Sequence, residues 1–211
     1  MADKKIKIWG RANSGNVKKV LVVADELRVP YERVDAGLQF GVVDTPEYRK
    51  LNPNGRVPTI EDGDYVLWES HAICRYLAMQ YGGEAIYPNE PKARASVDRW
   101  MDWLLATLVP VDVPVFWGTI RTPPEKQDKA AIAENVKKLS AAFQILEERL
   151  AGRAYIEGDK VTLADLLLGI FAYRYLNNPF IERPGQPNLA AWCERLRVRK
   201  SYQMHVDQPL T

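Results

Sequence analysis

The chain has few of the residues that bind metals or form covalent cross-links. Its 211 residues include two cysteines, Cys74 and Cys193, and two histidines, His71 and His205. Two cysteines within helical patterns give neither a disulfide framework nor the spacing of a zinc site. Because the two histidines are also far apart in the chain, no metal site is expected.

The chain also lacks an excess of charge of either sign and a long apolar segment. Lys and Arg number 29 against 27 Asp and Glu, so the composition does not indicate nucleic-acid binding. The N-terminus has no apolar signal-peptide core. The longest apolar run, 161–176, is interrupted by Asp165 and Arg174 and is too short to span a bilayer. These features predict a soluble cytoplasmic protein with no membrane partner.

The first eighty residues carry the patterns of a small α/β domain. Four short strands are predicted at 5–9, 31–36, 57–60 and 65–68. One helix begins near Val17 and ends before Pro30, and a second runs from Ser70 to the Gly82-Gly83 pair. The resulting order is βαβ followed by ββα. This layout resembles the thioredoxin-like domains.

Beyond a proline-flanked stretch at 84–90 the strand pattern stops, and helical periodicity continues to the end of the chain. Four helices are predicted at 91–109, 125–150, 162–177 and 188–197. The sequence therefore predicts two domains: an α/β domain over 1–83 and an all-helical bundle over 91–211, joined by the linker 84–90.

The Val57-Pro58 dipeptide stands at the start of the third predicted strand. Proline cannot donate a hydrogen bond to a sheet, so backbone groups in this segment stay free to hold a ligand. A cis bond, which proline makes accessible, would turn the Val57 amide and carbonyl outward. Further on, Glu69 and Ser70 place an acceptor and a hydroxyl beside the N–H groups of a new helix. Together these groups suit a peptide-like ligand with a carboxylate.

Four features occur in one order along the chain: a polar loop after strand one, Asn52–Pro58, Glu69-Ser70 before a helix, and Thr162–Asp165 in an all-helical half. In this order the chain resembles the cytosolic glutathione transferases over essentially its whole length, in particular bacterial members of the theta and nu kinds. The resemblance implies glutathione as co-substrate, a small hydrophobic electrophile as second substrate, and a homodimer.

In this family a group in the loop after strand one stabilises the thiolate of glutathione, because only the thiolate is a competent nucleophile. The resemblance makes Ser14 the first catalytic candidate. Asn16 is a joint candidate, since the nu class uses an asparagine here and an amide can also donate to sulfur. By residue type alone, either side chain could simply cap the first helix.

The resemblance also implies a role for each glutathione-binding residue. Val57, held by cis Pro58, pairs its backbone with the cysteinyl part of glutathione. Glu69 faces the γ-glutamyl ammonium, and Ser70 holds the γ-glutamyl carboxylate together with the helix N-terminus. Two further residues, Arg56 and Gln39, are assigned to the glycyl end.

The electrophile pocket is expected between the loop after strand one and the first long helix of the second domain. Its candidate residues are Trp103, Thr107, Val111, Phe116 and Trp117. Aromatic residues at helical spacing also pack cores, so the pattern alone leaves both roles open. Asp165 belongs to a Thr-x-x-Asp capping box and is predicted to be structural.

Two other functions are compatible with the same residues. One is glutathione-dependent disulfide reduction, which Asn16 and the likeness to the nu class favour. The other is a non-catalytic, protein-binding module of the same fold, in which parts of the glutathione site are usually lost.

Overall fold

The computed structural model describes residues 5–211. They form two compact units, of which the first ends at Tyr87 and the second begins at Pro88.

The first unit is built on a four-stranded mixed sheet in the order β2-β1-β3-β4. Its strands are β1 (Ile6–Trp9), β2 (Tyr31–Val34), β3 (Thr59–Asp62) and β4 (Tyr65–Trp68). β1 runs parallel to β2 and antiparallel to β3, and β3 forms a hairpin with β4. Its helices are α1 (Gly15–Glu26), α2 (Pro46–Leu51) and α3 (Ser70–Gln80). The predicted thioredoxin-like α/β architecture is confirmed.

Two details of this unit differ from the sequence expectation. The third strand begins at Thr59, not at residue 57, because Pro58 has no N–H to offer the ladder. The short helix α2 was not predicted, since its six residues are too few to show periodicity. A local signal for it does exist: the Thr45 hydroxyl accepts from the Tyr48 N–H at 3.2 Å, and Pro46 occupies the first turn.

The second unit is all-helical, as predicted. Its helices are α4 (Pro91–Trp103), α5 (Val109–Phe116), α6 (Lys129–Leu150), α7 (Leu163–Asn177), α8 (Pro187–Arg197) and α9 (Lys200–His205). α6 starts four residues later than predicted because Asp128 caps it, accepting from the Ala131 N–H at 3.0 Å. α5 and α9 were not predicted.

The expected end of the first helix of this unit, at residue 109, was wrong. A continuous helical run extends over Pro91–Arg121 even though it contains Pro110 and Pro114. Single π-helical turns at Leu104–Leu108 and Trp117–Arg121 flank α5. Proline has no N–H to donate, and a π-helical turn shifts the hydrogen-bond register of a helix. Such turns therefore let the helical run continue past the two prolines.

The same run corrects the expectation about apolar segments. By length and composition alone, its 31 residues could cross a membrane, whereas the sequence placed the longest apolar run at 161–176. The core helices of soluble proteins can have the same length and apolar composition.

From a fully buried position, Asp165 joins the start of α7 to α8 and to the loop that contains Ile156. Its Oδ1 accepts from the Ile156 N–H at 2.8 Å and from the Trp192 indole N–H at 2.9 Å. Its Oδ2 accepts from the backbone N–H and the hydroxyl of Thr162, both at 2.9 Å. The predicted structural role of Asp165 is confirmed, and it extends beyond capping α7 to anchoring α8 through Trp192.

Replacing Asp165 should destabilise the helical unit strongly. Asp165→Ala leaves four donors without their acceptor in the interior, which we expect to cost about 3 kcal/mol or more of unfolding free energy. Urea denaturation followed by circular dichroism measures this. The matched control is Asp159→Ala, at an exposed position, which should change stability by less than about 0.5 kcal/mol. Equal stability of the two variants would contradict the assigned role.

Candidate functional site

The N-terminal ends of α1 and α3 meet in the first unit, where the two helices pack together. The Ser70 Oγ, in the first turn of α3, lies 3.5 Å from the Asn16 Oδ1 in the first turn of α1. Ser14 is the N-cap residue of α1 and Glu69 that of α3, and neither side chain hydrogen-bonds to its own helix. The alternative reading of Ser14 as a capping side chain is therefore wrong.

Other helices of the protein do have side-chain caps. Thr45 caps α2, Asp128 caps α6, and the Glu90 carboxylate accepts from two N–H groups of α4. The Glu147 carboxylate accepts from the N–H of Leu189 in the first turn of α8 at 2.7 Å. The uncapped ends of α1 and α3 thus leave backbone donors and two positive helix dipole ends directed at one place, an arrangement that binds anions.

The loop from β1 to α1 is held close to the sheet by Gly10. The backbone N–H groups of Gly10 and Arg11 donate to the carbonyls of Val34 and Ala36 at 2.8 and 3.1 Å. Gly10 has φ +151°, and a Cβ here would lie 2.4 Å from the Val17 Cγ2. Only glycine fits here, and the close approach fixes the loop that leads to Ser14, a buried residue with 7% of its surface exposed.

Glu69 has a backbone conformation that side chains rarely adopt, with φ 73° and ψ 111°. For a residue other than glycine this left-handed conformation costs energy and persists only where surrounding structure imposes it, often at a functional site. The carboxylate of Glu69 is exposed and makes no cap, so it is available to a ligand next to Ser70.

The Val57-Pro58 peptide bond is cis, as predicted. The segment that carries it is fastened by two residues that the sequence did not single out, Tyr48 and Asn52. The Tyr48 hydroxyl donates to the Arg56 carbonyl at 2.7 Å and lies 2.8 Å from the Thr59 hydroxyl. The Asn52 side-chain amide donates to the same two oxygens, at 3.0 Å each. These four contacts fix the residues on both sides of Val57-Pro58, and none of them involves the backbone of Val57.

The two residues assigned to the glycyl end lie in exposed positions. The Arg56 side chain is exposed beside the cis bond, and Gln39 is exposed within the short 3₁₀ segment Leu38–Phe40. Within residues 5–211, no hydrogen bond or ion pair links the Gln39 side chain to the ends of α1 and α3.

A buried polar pair lies behind the helix ends. Lys19 of α1 is fully buried, and its ammonium donates to the Asn16 Oδ1 at 3.1 Å and lies 2.9 Å from the Nε2 of His71 in α3. Burial, with added repulsion from Lys19 and Arg75, lowers the pKa of His71 to about 2, so the imidazole is neutral and accepts from Lys19. A lysine in a helical pattern ordinarily indicates a solvated face, so the sequence did not reveal this pair.

The five predicted pocket residues all lie on the helical run of the second unit. Thr107 and Trp117 are exposed, and Trp103 and Val111 are half-buried. Phe116 is only 4% exposed, and its ring is covered by the Arg174 guanidinium at 4.2 Å. The first four therefore offer surface to a ligand, whereas the ring of Phe116 is taken up by packing.

The helical unit also has a cavity of about 600 Å³ elsewhere. Its walls include Thr119, Ile132, Val136 and Phe180. None of the five predicted pocket residues lines it.

The fold defines a two-unit protein: a thioredoxin-like domain in which two helix N-termini lie side by side, and a helical domain. Residues 4–79 match the family model of the glutathione S-transferase N-terminal domain, and residues 98–200 match that of the C-terminal domain. The chain belongs to the glutathione S-transferase family.

Individual relatives agree with this. Glutathione S-transferase GstB of Escherichia coli K12 is 39% identical over 208 residues, covering 98% of this chain and 100% of that protein. A glutathione S-transferase of Hyoscyamus muticus is 32% identical, covering 96% and 98%. The crystal structure of a theta-class glutathione S-transferase from Xanthomonas axonopodis pv. citri, with glutathione bound, superposes with a TM-score of 0.94 at 47% identity, covering 99% and 100%.

Removing the Tyr48 hydroxyl should loosen the segment that carries the cis bond. Tyr48→Phe loses two buried hydrogen bonds, so we expect a loss of about 1–2 kcal/mol in unfolding free energy and faster amide hydrogen exchange in peptides covering 52–60. The control is Tyr65→Phe on the exposed face of β4, which should leave both measurements unchanged. Unchanged exchange in Tyr48→Phe would show that α2 does not hold this segment.

The neutral His71 predicts a specific pH dependence of stability. Because its folded pKa lies below the unfolded value of 6.5, the unfolded state binds a proton that the folded state does not, and stability falls as the pH drops below 6.5. His71→Asn should remove about 1.4 kcal/mol per pH unit of this slope between pH 6 and 4. Unfolding free energies of both proteins across this range provide the test. His205→Asn, in which His71 is intact, should keep the wild-type slope.

Proposed function

We propose that this glutathione transferase binds glutathione at the paired ends of α1 and α3 and activates its thiol for nucleophilic attack on small electrophiles. The thiolate sulfur attacks an electrophilic carbon, a carbon–sulfur bond forms, and the leaving group departs with its electron pair. The thiol proton passes to solvent before the attack.

The observation that carries this proposal is the pair of adjacent helix N-termini without side-chain caps. Glutathione is a peptide with two carboxylates and an ionisable thiol, so it can supply the anionic groups that such ends favour. Ser70 and the N-terminus of α3 would bind the γ-glutamyl carboxylate, and Glu69 the γ-glutamyl ammonium. At the end of α1, Ser14 and Asn16 would donate to the thiolate.

The remaining binding roles follow the same geometry. The Val57 backbone, turned by cis Pro58, would pair with the cysteinyl part of the ligand in a strand-like manner. Arg56 and Gln39 would reach the glycyl carboxylate from their exposed positions. The electrophile would be bound with the help of Trp103, Thr107, Val111 and Trp117, with Phe116 packing beneath them.

We also propose that the protein is a cytoplasmic homodimer. Exposed apolar side chains on α3 and on the long helical run, such as Met79 and Leu105, support a contact between subunits. Light scattering coupled to size exclusion should give twice the 24.0 kDa chain mass.

Ultraviolet titration of the thiolate of bound glutathione tests the proposed activation. Donors and dipole ends that stabilise the anion should lower the thiol pKa by about one unit or more relative to free glutathione. Binding with an unshifted thiol would instead favour the non-catalytic module.

Substitution separates the two candidate donors. We expect Ser14→Ala to lower kcat/KM with an electrophile such as chlorodinitrobenzene by about 10²-fold, and Asn16→Ala by less, since the hydroxyl of Ser14 lies at the N-cap itself. A larger loss in Asn16→Ala would transfer the main role to the amide.

Glutathione-dependent disulfide reduction is a second candidate, favoured by the exposed amide of Asn16 and by the state of the protein's own thiols. Cys74 and Cys193 are buried, and burial raises the pKa of each to about 12. Neither protein thiol is therefore poised to attack a disulfide, and in this reaction bound glutathione would supply the thiolate.

A variant with both Cys74→Ser and Cys193→Ser should keep wild-type turnover with an electrophile and with a small disulfide, and the native wild type should react only slowly with a thiol reagent. Loss of disulfide reduction alone in the variant would show that a protein thiol takes part.

A further inference from the structure

We propose that Lys19 is a positioning residue of the active site: it binds the side-chain oxygen of Asn16 from the protein interior and thereby turns the Asn16 NH₂ group toward the bound sulfur. The proposal rests on the proposed function, because it concerns the same thiolate site.

The chemistry of the ammonium group determines the orientation of the amide. Lysine carries three donors and no acceptor, so the Asn16 atom 3.1 Å from the Lys19 Nζ has to be the amide oxygen. In the free protein the hydroxyl of Ser70, at 3.5 Å from the same oxygen, adds a second donor on that side; its one proton would pass to the γ-glutamyl carboxylate when glutathione binds, which leaves Lys19 to hold the amide. Two donors of different helices thus converge on one acceptor, and the flipped amide would place NH₂ against NH₃⁺.

The NH₂ group of the Asn16 amide faces away from the protein interior. Lys19 is fully buried whereas Asn16 is exposed, so fixing the oxygen inward leaves the NH₂ group on the open side of the α1 end. A thiolate needs donors, and an amide oxygen on this side would repel it. The orientation set by Lys19 therefore decides whether Asn16 helps or opposes the anion.

The position of Lys19 is in turn fixed by α3. Its ammonium also donates to the Nε2 of His71 at 2.9 Å, and His71 is 3% exposed. The titratable groups around Lys19 on α3 include His71, Cys74 and Arg75. His71 and Cys74 are neutral at physiological pH, so they do not offset the positive charge of Lys19. This charge lies behind the two helix ends, where it also favours an anion.

A double-mutant cycle tests the proposal. Lys19→Met and Lys19→Arg are made in the wild type and in Asn16→Ala, and the thiol pKa of bound glutathione, the pH profile of kcat/KM and the affinity for S-methylglutathione are measured. Lys19→Met should raise the thiol pKa by about half a unit or more and lower kcat/KM about five- to tenfold at pH 7. Affinity for S-methylglutathione, which has no thiol, should stay within about twofold, and Lys19→Arg should retain most of the activity.

The coupling distinguishes positioning from a general structural effect. In the Asn16→Ala background, Lys19→Met should have little further effect on the thiol, because the group through which it acts is gone. Equal effects in both backgrounds, or an equal loss of S-methylglutathione affinity, would overturn the proposal.

A second variant covers the case in which Lys19→Met fails to fold. Asn16→Asp keeps an oxygen for Lys19 but replaces the donor NH₂ by a second oxygen, so it should fold and raise the thiol pKa by at least about one unit. An unshifted thiol in Asn16→Asp would overturn the proposal. If the wild type itself does not lower the thiol pKa, the proposed function fails; if it does and these variants match the wild type, the inference about Lys19 alone fails.

Discussion

The packing of α1 against α3 is the constraint on which the rest of the site depends. It brings two helix N-termini to one point of the molecule, and their dipoles and free N–H groups reinforce each other there. A side-chain cap on either helix would compete with a ligand for those donors. Thr45, Glu90 and Asp128 cap α2, α4 and α6 in this way, whereas the N-cap side chains of α1 and α3 make no such bond.

Other elements of the first unit fix the remaining residues of the proposed glutathione site around that point. Gly10 lets the β1–α1 loop lie against the sheet, and Tyr48 of α2 together with its C-cap residue Asn52 fastens the segment around cis Pro58. The left-handed backbone of Glu69 orients the start of α3. Each of these features restricts the conformations of the site in the folded protein. Less conformational entropy is then lost when a ligand binds.

Local signals made much of this architecture predictable. Ile6 and Ile8 alternate with polar residues at the two-residue period of a strand and mark β1. Val17, Val20 and Leu21 recur at the spacing of a helix and mark the buried face of α1. The motif residues at 57–58 and 69–70 could be found from local signals. A proline at the start of a strand leaves backbone groups unpaired, and a polar pair before an apolar helical run marks a helix start. The order of these motifs was enough to indicate the family.

Other features could not be read from the sequence, and for identifiable physical reasons. Pro110 and Pro114 ordinarily end a helix, and only the flanking π turns allow the run to continue. The burial of Lys19 depends on His71, fifty-two residues away, which no local pattern connects to it. The support from Tyr48 and Asn52 is likewise a matter of tertiary contact.

The open helix ends have a consequence for the protein in the cell. A ligand that supplies the missing caps binds the folded chain and not the unfolded one, so it adds RT ln(1 + [L]/Kd) to the free energy of unfolding, about 2.7 kcal/mol at a hundredfold excess over Kd. The lifetime of the chain in the presence of proteases is thereby tied to the supply of its own co-substrate. Cells depleted of that thiol should hold less of the protein, without any change in its synthesis.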